Sequence, residues 1–174
     1  SAIATVSVNY GRTTYNHTSK TTDSQKESTR KALLNKEFRQ ALNFAVDRNS
    51  YSAQTNGTDG AAVAIRNTFS PYDLQVGDKQ FGKLVEESLA KTNSSTWSNV
   101  SLADSQNGLY NEEKAKAAFA KAKESLKAEG VEFPIHLDAL TIQESTAVVN
   151  RVQSLKQSIE NVLGADNVVI DLQQ

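Results

Sequence analysis

The sequence predicts an α/β fold: α and β elements mixed, helices packed on a small mixed sheet, ending in a C-terminal βαβ unit. Two stretches carry this. Residues 35–48, NKEFRQALNFAVDR, place Phe38, Ala41, Leu42 and Ala45 at helical spacing on one apolar stripe, with Arg39, Gln40 and Asn43 off it. Residues 133–172 read as strand, long amphipathic helix, strand, a spacing that calls for parallel strands and a right-handed crossover. At 174 residues the chain can bury one sizeable core, so residues 1–174 are read as one domain.

In chain order, residues 3–9 come first. Val6 and Val8 fall on one face and Ser7 and Asn9 on the other, a strand pattern. Residues 10–31 are polar and rich in Thr, Ser and Lys; they suit either an ordered loop or a solvated helix from Asp23 onward. Asn35 is the expected cap of the Phe38 helix, and Asp47-Arg48-Asn49 breaks its pattern. Asn49 is the expected cap of a shorter helix that stops at Asn56-Gly57. Residues 61–72 form an irregular crossing closed by Ser70-Pro71. Phe81, Leu84, Val85 and Leu89 mark another amphipathic helix, and residues 93–101 return to loop.

Asn111 before Glu112 and Glu113 starts a helix with acidic residues at the positive end of its dipole. Ala115, Ala118, Phe119, Ala122 and Leu126 are its buried stripe, and Gly130 stops it. Phe133, Ile135, Leu137 and Ala139 alternate with Pro134, His136 and Asp138, a strand with one wet face and Pro134 at its start or on an edge. Val148, Val152, Leu155, Ile159 and Val162 build the long helix, Gly164 ends it, and Val168, Ile170 and Leu172 close the unit.

Nineteen basic residues nearly balance twenty acidic ones, so no global field favours nucleic acid or an anionic membrane. No apolar run approaches the length of a bilayer span. Without cysteine the chain forms no disulfide and offers no thiolate. Ser1 leads directly into one strand pattern and Gln173-Gln174 follow another, which reads as an excised piece of a longer protein.

Enzyme signatures are absent. There are two histidines. His17 sits in polar sequence, and His136 shares a strand face with Asp138, a pair read as exposed or helix-covered. No third ligand stands at metal-site spacing, so no metal and no cofactor are expected. No GxSxG, GxGxxG or phosphate loop occurs. The sequons at Asn16, Asn56, Asn93 and Asn99 are read as chance in an Asn/Ser/Thr-rich chain. Trp97 is either an exposed ligand platform or an amphipathic cap on the core.

The segment RQALNFAVDR resembles the helix entering the second lobe of oligopeptide-binding proteins, the receptors of ABC-type peptide importers. Three further blocks are similar to the same family, in register: LYNEEKAKAAFAKAKESLKAEG, FPIHLDAL and VQSLKQSIENVLGADNVVIDLQQ. The polar run TSKTTDSQKESTRKALLNKEFRQALNFAVDR and LGADNVV look like the streptococcal Ami/Ali-type lipoproteins, so the resemblance covers essentially the whole chain.

That resemblance implies a bilobal, periplasmic-binding-protein-like receptor, lipid-anchored on the extracellular face of the membrane. Such a receptor closes over an oligopeptide and delivers it to permease subunits. This chain would be roughly half of the second lobe, entered through the strand at residues 3–9. The first lobe, the lipidation signal and a tryptophan- and aspartate-bearing segment that grips the peptide's amino end would lie outside it, leaving weak peptide binding or none. The residues expected to face the cleft are Asn9, Tyr10, Arg12 and Tyr15, whose amide, phenols and guanidinium suit peptide carbonyls or a terminal carboxylate. Arg39 and the Asp47-Arg48 pair are read as structural, pairing charges at helix ends. Two other readings stand beside this one: a surface interaction or adhesion module using residues 10–31, and an enzyme using His136 and Asp138. Strands at both ends also predict edge-to-edge self-association.

Overall fold

Three helices separated by at most two residues begin the described structure, a computed structural model covering residues 21–142 and 144–173. The strand expected over residues 3–9 lies outside those residues. Helix α1 (Asp23–Leu34) starts in a capping box: Thr22 Oγ1 accepts from Gln25 N, and Gln25 Oε1 accepts from Thr22 N. Residues 10–20 also lie outside the described residues; for the rest of that run, the helix from Asp23 is the reading observed. It is more than solvated, because Ser28, Ala32 and Leu33 are buried. Asn35 ends α1 and at once caps α2 (Lys36–Ala45), its Oδ1 accepting from Phe38 N at 2.9 Å.

After Val46, Asp47 caps α3 (Arg48–Gly60) through bonds from Asn49 N and Ser50 N. The expected cap, Asn49, lies inside the first turn; the carboxylate two residues earlier reaches two orphan donors and takes that role. Gly57, at φ 70° and ψ 170°, kinks α3 at the expected stop, and a last turn runs on to Gly60.

A 3₁₀ turn at Ala62–Ala64 leads into the irregular crossing. An unforeseen antiparallel hairpin follows, β1 (Gln75–Val76) against β2 (Lys79–Gln80), turning through Gly77 at φ 65°. Helix α4 (Phe81–Thr92) is present as expected, but its apolar stripe is only half-buried. Where a loop was expected, the short helix α5 (Ser94–Trp97) forms, because the Asn93 side chain accepts from Thr96 N.

The final third matches expectation. Asn111 caps α6 (Glu112–Ala128), accepting from Lys114 N at 2.9 Å, and Gly130 turns the chain at φ 78°. Strand β3 (Ile135–Leu140) follows Pro134. Ser145 caps α7 (Thr146–Leu163), and Gly164 at φ 89° releases the chain into β4 (Val168–Gln173). β3 and β4 pair in parallel, from Ile135 opposite Val168 to Leu140 opposite Gln173. The described strands form two separate two-stranded sheets, one antiparallel and one parallel, in place of a single mixed sheet.

The core forms where α2 lies against α6, with α7 and β3–β4 closing round it. Phe38, Ala41, Leu42, Phe44 and Ala45 of α2 meet Ala115, Phe119, Ala122 and Leu126 of α6 and Ile159, Val162 and Leu163 of α7. Ala41, Ala45, Ala115 and Ala122 are fully buried, and such small side chains let helix backbones approach closely. Phe38 packs on Phe119 with ring centroids 6.2 Å apart, and Phe119 meets Phe133 edge-on at 6.1 Å. Trp97, 5.3 Å from Phe44, is a half-buried cap on this core.

Candidate functional site

Two parallel strands point the same way, so the carboxyl ends of β3 and β4 open on one side, next to the start of α7. In α/β sheets that side receives ligands. Here it is polar and tightly tied: Thr141 N and Oγ1 both donate to Gln173 O, at 2.6 and 2.9 Å. Gln173 Nε2 reaches back to Asp138 Oδ1 at 3.3 Å. Exposed Ile142 and the first turn of α7, capped by Ser145, stand beside it. Hydrogen-bond donors and acceptors beside an apolar side chain can hold a main-chain amide and a neighbouring side chain, but they include no nucleophile with a base.

The signature segment is built differently. Arg39 Nη1 donates to Leu33 O in the last turn of α1, at 3.0 Å. Arg48 Nη1 donates to Asn43 O and Val46 O, at 3.2 and 3.0 Å, and its Nη2 to Asn43 Oδ1 at 2.8 Å. Burial pushes the Arg48 guanidinium below its ordinary pKa, and three acceptors offset that cost. Asp47 Oδ1 accepts from Asn107 Nδ2 at 2.9 Å, and Asp47 N donates to Ser158 Oγ at 2.6 Å, tying α3 to α7 and the loop before α6. Both arginines serve helix ends as expected. They do so through main-chain carbonyls and, for Arg48, an amide oxygen at the negative end of a dipole.

His136 and Asp138 share a face, yet the imidazole bonds elsewhere. Its Nδ1 lies 3.0 Å from Asp171 Oδ2 on β4, because the register sets Asp171 opposite Asp138. Among the described residues no group of three or more His, Asp or Glu side chains could hold a metal ion. A depression of about 350 Å³ lies between α4 and residues 97–100, and another of about 400 Å³ beside Leu34; His136 lines neither. Asn9, Tyr10, Arg12 and Tyr15, like His17, lie outside the described residues.

The strand edges are guarded. Ile135 N and Thr141 N point to β4, so the alternate residues His136 and Ile170 turn their backbone groups outward. Thr29 Oγ1 of α1 donates to His136 O at 2.7 Å. Lys156 Nζ of α7 donates to Ile170 O at 2.7 Å, and Glu160 Oε2 accepts from Ile170 N at 3.3 Å. Elsewhere, Val63, Phe69, Leu74 and Val76 expose large apolar side chains along one segment. That segment is pinned by bonds from Asn67 Nδ2 to Ala103 O and Gln106 O and from Tyr72 N to Asp104 Oδ2.

No family model matches the chain. It is 58% identical over 175 residues to the oligopeptide-binding protein AmiA of Streptococcus pneumoniae serotype 4, a match that takes in 100% of the chain. It is 56% identical to the oligopeptide-binding protein SarA of Streptococcus gordonii over 97% of the chain, and 49% identical to AliB of Streptococcus pneumoniae over 95%. In each case it spans 26% of the relative's length, about a quarter. Along essentially its whole length the chain is therefore a close homologue of one quarter of the streptococcal Ami/Ali/Sar oligopeptide-binding proteins.

Proposed function

We propose that the chain is part of the second lobe of a bilobal oligopeptide receptor and serves peptide uptake without catalysing a reaction. The observation that carries this reading is identity of 49–58% to three proteins named for oligopeptide binding, over 95–100% of the chain. In this reading the receptor sits on the extracellular face of a Gram-positive membrane, held by a lipid anchor, and passes its peptide to permease subunits. Residues 1–174 act as one unit of that lobe and need no cofactor.

The peptide lies in extended form, its main chain hydrogen-bonded and its side chains in roomy, hydrated pockets, which gives broad sequence tolerance. Asn9, Tyr10, Arg12 and Tyr15 contribute to that cleft, and the polar carboxyl ends of β3 and β4 supply the framework. The exposed apolar positions from Val63 to Val76 suit a chain packed against other parts of a larger protein, which a free-standing adhesion module does not need. Self-association through the part of the β4 edge that the α7 clasp leaves uncovered among the described residues belongs to the same reading for the isolated chain.

The test is a chimera. The matching quarter of the S. pneumoniae AmiA protein is replaced by this chain, and mixed oligopeptides are titrated calorimetrically into parent, chimera and the 174-residue chain. A chimera that binds as the parent does supports the reading. A folded chimera that binds nothing while the parent binds overturns it. Comparable heat from the 174-residue chain alone would place a complete site within these residues and overturn the division of the site between segments.

A further inference from the structure

Gln25 occupies two roles at once. Its Oε1 accepts the Thr22 N–H at 2.9 Å in the capping box, which fixes which end of the side-chain amide faces which way. The amide nitrogen is left 3.4 Å from His136 Nε2. An NH2 group only donates, so Nε2 has to present its lone pair, and the ring proton has to sit on Nδ1. There it meets Asp171 Oδ2, at 3.0 Å. Both described partners of the ring are satisfied in one state alone, the neutral imidazole protonated at Nδ1.

We infer that His136 is a proton-sensitive latch between the first turn of α1 and the β3–β4 sheet. A proton added to Nε2 faces the Gln25 NH2, donor against donor. The conflict is relieved when the Gln25 amide rotates and offers Oε1 to the ring. That rotation takes the acceptor away from Thr22 N and breaks half of the capping box. The His136–Asp171 bond survives and, with both partners charged, becomes an ion pair. Acidification thus loosens the start of α1 while strengthening the ring's hold on β4.

The surrounding charges fit this assignment. On α1, Lys26 pairs with Asp23 at 3.6 Å. On β3, Asp138 accepts from Gln173. On β4, Asp171 holds the ring, and on α7, Lys156 and Glu160 pair with each other at the outer edge of β4. Thr29, one turn beyond Gln25, keeps the middle of α1 bonded to His136 O in either state. The opening is therefore confined to the first turn. Nothing in this inference depends on peptide binding.

The experiment uses the 174-residue chain and its Gln25→Glu variant. A glutamate keeps the capping box, since its carboxylate accepts from Thr22 N, and it also accepts from a protonated Nε2. Long-range ¹H–¹⁵N spectra report the ring state, and hydrogen exchange, expressed as protection relative to the free peptide rate, reports the Thr22 amide. At pH 8 the ring is expected to carry its proton on Nδ1. Between pH 8 and pH 5 the protection of Thr22 is expected to fall about fivefold to tenfold in the parent, as for one lost hydrogen bond, and to hold steady in the variant. A ring protonated on Nε2 at pH 8 overturns the inference by itself, even if the variant does not fold. So does a Thr22 response that is the same in parent and variant.

Discussion

Removing the Arg48 guanidinium tests whether the signature segment is a device for joining helices. It donates to three acceptors, two main-chain carbonyls and Asn43 Oδ1, all at the end of α2. At about 1 kcal/mol each, three lost hydrogen bonds sum to about 3 kcal/mol. Arg48 is not fully buried, so water reaches part of the space left behind, and Arg48→Ala is expected to cost about 2 kcal/mol in urea unfolding. Arg48→Lys keeps the charge but offers one compact donor group that cannot span both carbonyls and the amide. It should recover about half of the loss. The urea midpoint should shift with an unchanged m-value. A cost below about 0.5 kcal/mol for the alanine variant, or full recovery by lysine, would refute the capping account, because neither is compatible with three simultaneous bonds.

Three further outcomes follow from the geometry. A Cβ on Gly82 would stand 1.8 Å from the Tyr72 ring, so Gly82→Ala should cost about 1–3 kcal/mol in denaturant unfolding; a neutral result would mean the ring moves freely. The hydrogen bond to Glu112, then burial and the charges of Glu112 and Asp47, push the Tyr110 phenol up to about 12. Because the folded state favours the neutral phenol, its contribution to stability is complete below the unfolded value near ~10 and is lost as pH rises through about 12. Ultraviolet titration checks this, with Glu112→Ala bringing the phenol down. Finally, Lys156→Ala with Glu160→Ala uncovers the backbone of Ile170, and sedimentation should show more concentration-dependent association than the parent; equal behaviour would show that the clasp guards nothing.

How much of this is readable from sequence depends on where the determining contact lies. The α6–β3–α7–β4 unit is legible because each element has its own period, and each of its two helices has a polar cap and a glycine close after its end. Helix α1 is legible only as one of two alternatives, since its buried side is only Ser28, Ala32 and Leu33, too short a stripe to rise above a polar run. The Thr22-x-x-Gln25 pattern was the signal available there. Helix α5 is held by the Asn93 cap and by Trp97 on Phe44, a contact across 53 residues that periodicity does not see. The β1–β2 hairpin has two residues per strand and no alternation to read. His136 shows the same limit at the level of a side chain. Its partner is set by strand register 35 residues away, and Asp138, the neighbour visible in sequence, is bonded to Gln173.

RQALNFAVDR is the stretch by which the chain most resembles a peptide receptor, yet its polar side chains work at helix ends. Arg39 closes α1, Asn43 and Arg48 close α2, and Asp47 opens α3 and binds Asn107. Three helices in succession with at most two residues between them leave orphan donors and acceptors at each joint that water cannot fully serve. A joint of that kind demands particular side chains at particular positions, whatever the protein binds. The polar side chains of this segment therefore serve the frame, and the proposed recognition would draw on other residues. The open polar end of the β3–β4 ladder points in one direction, with Thr141, Ile142 and the first turn of α7 around it. Under the reading proposed above, a frame specified this tightly would present such an edge unchanged while the side chains around it vary, as tolerance of many peptide sequences would require.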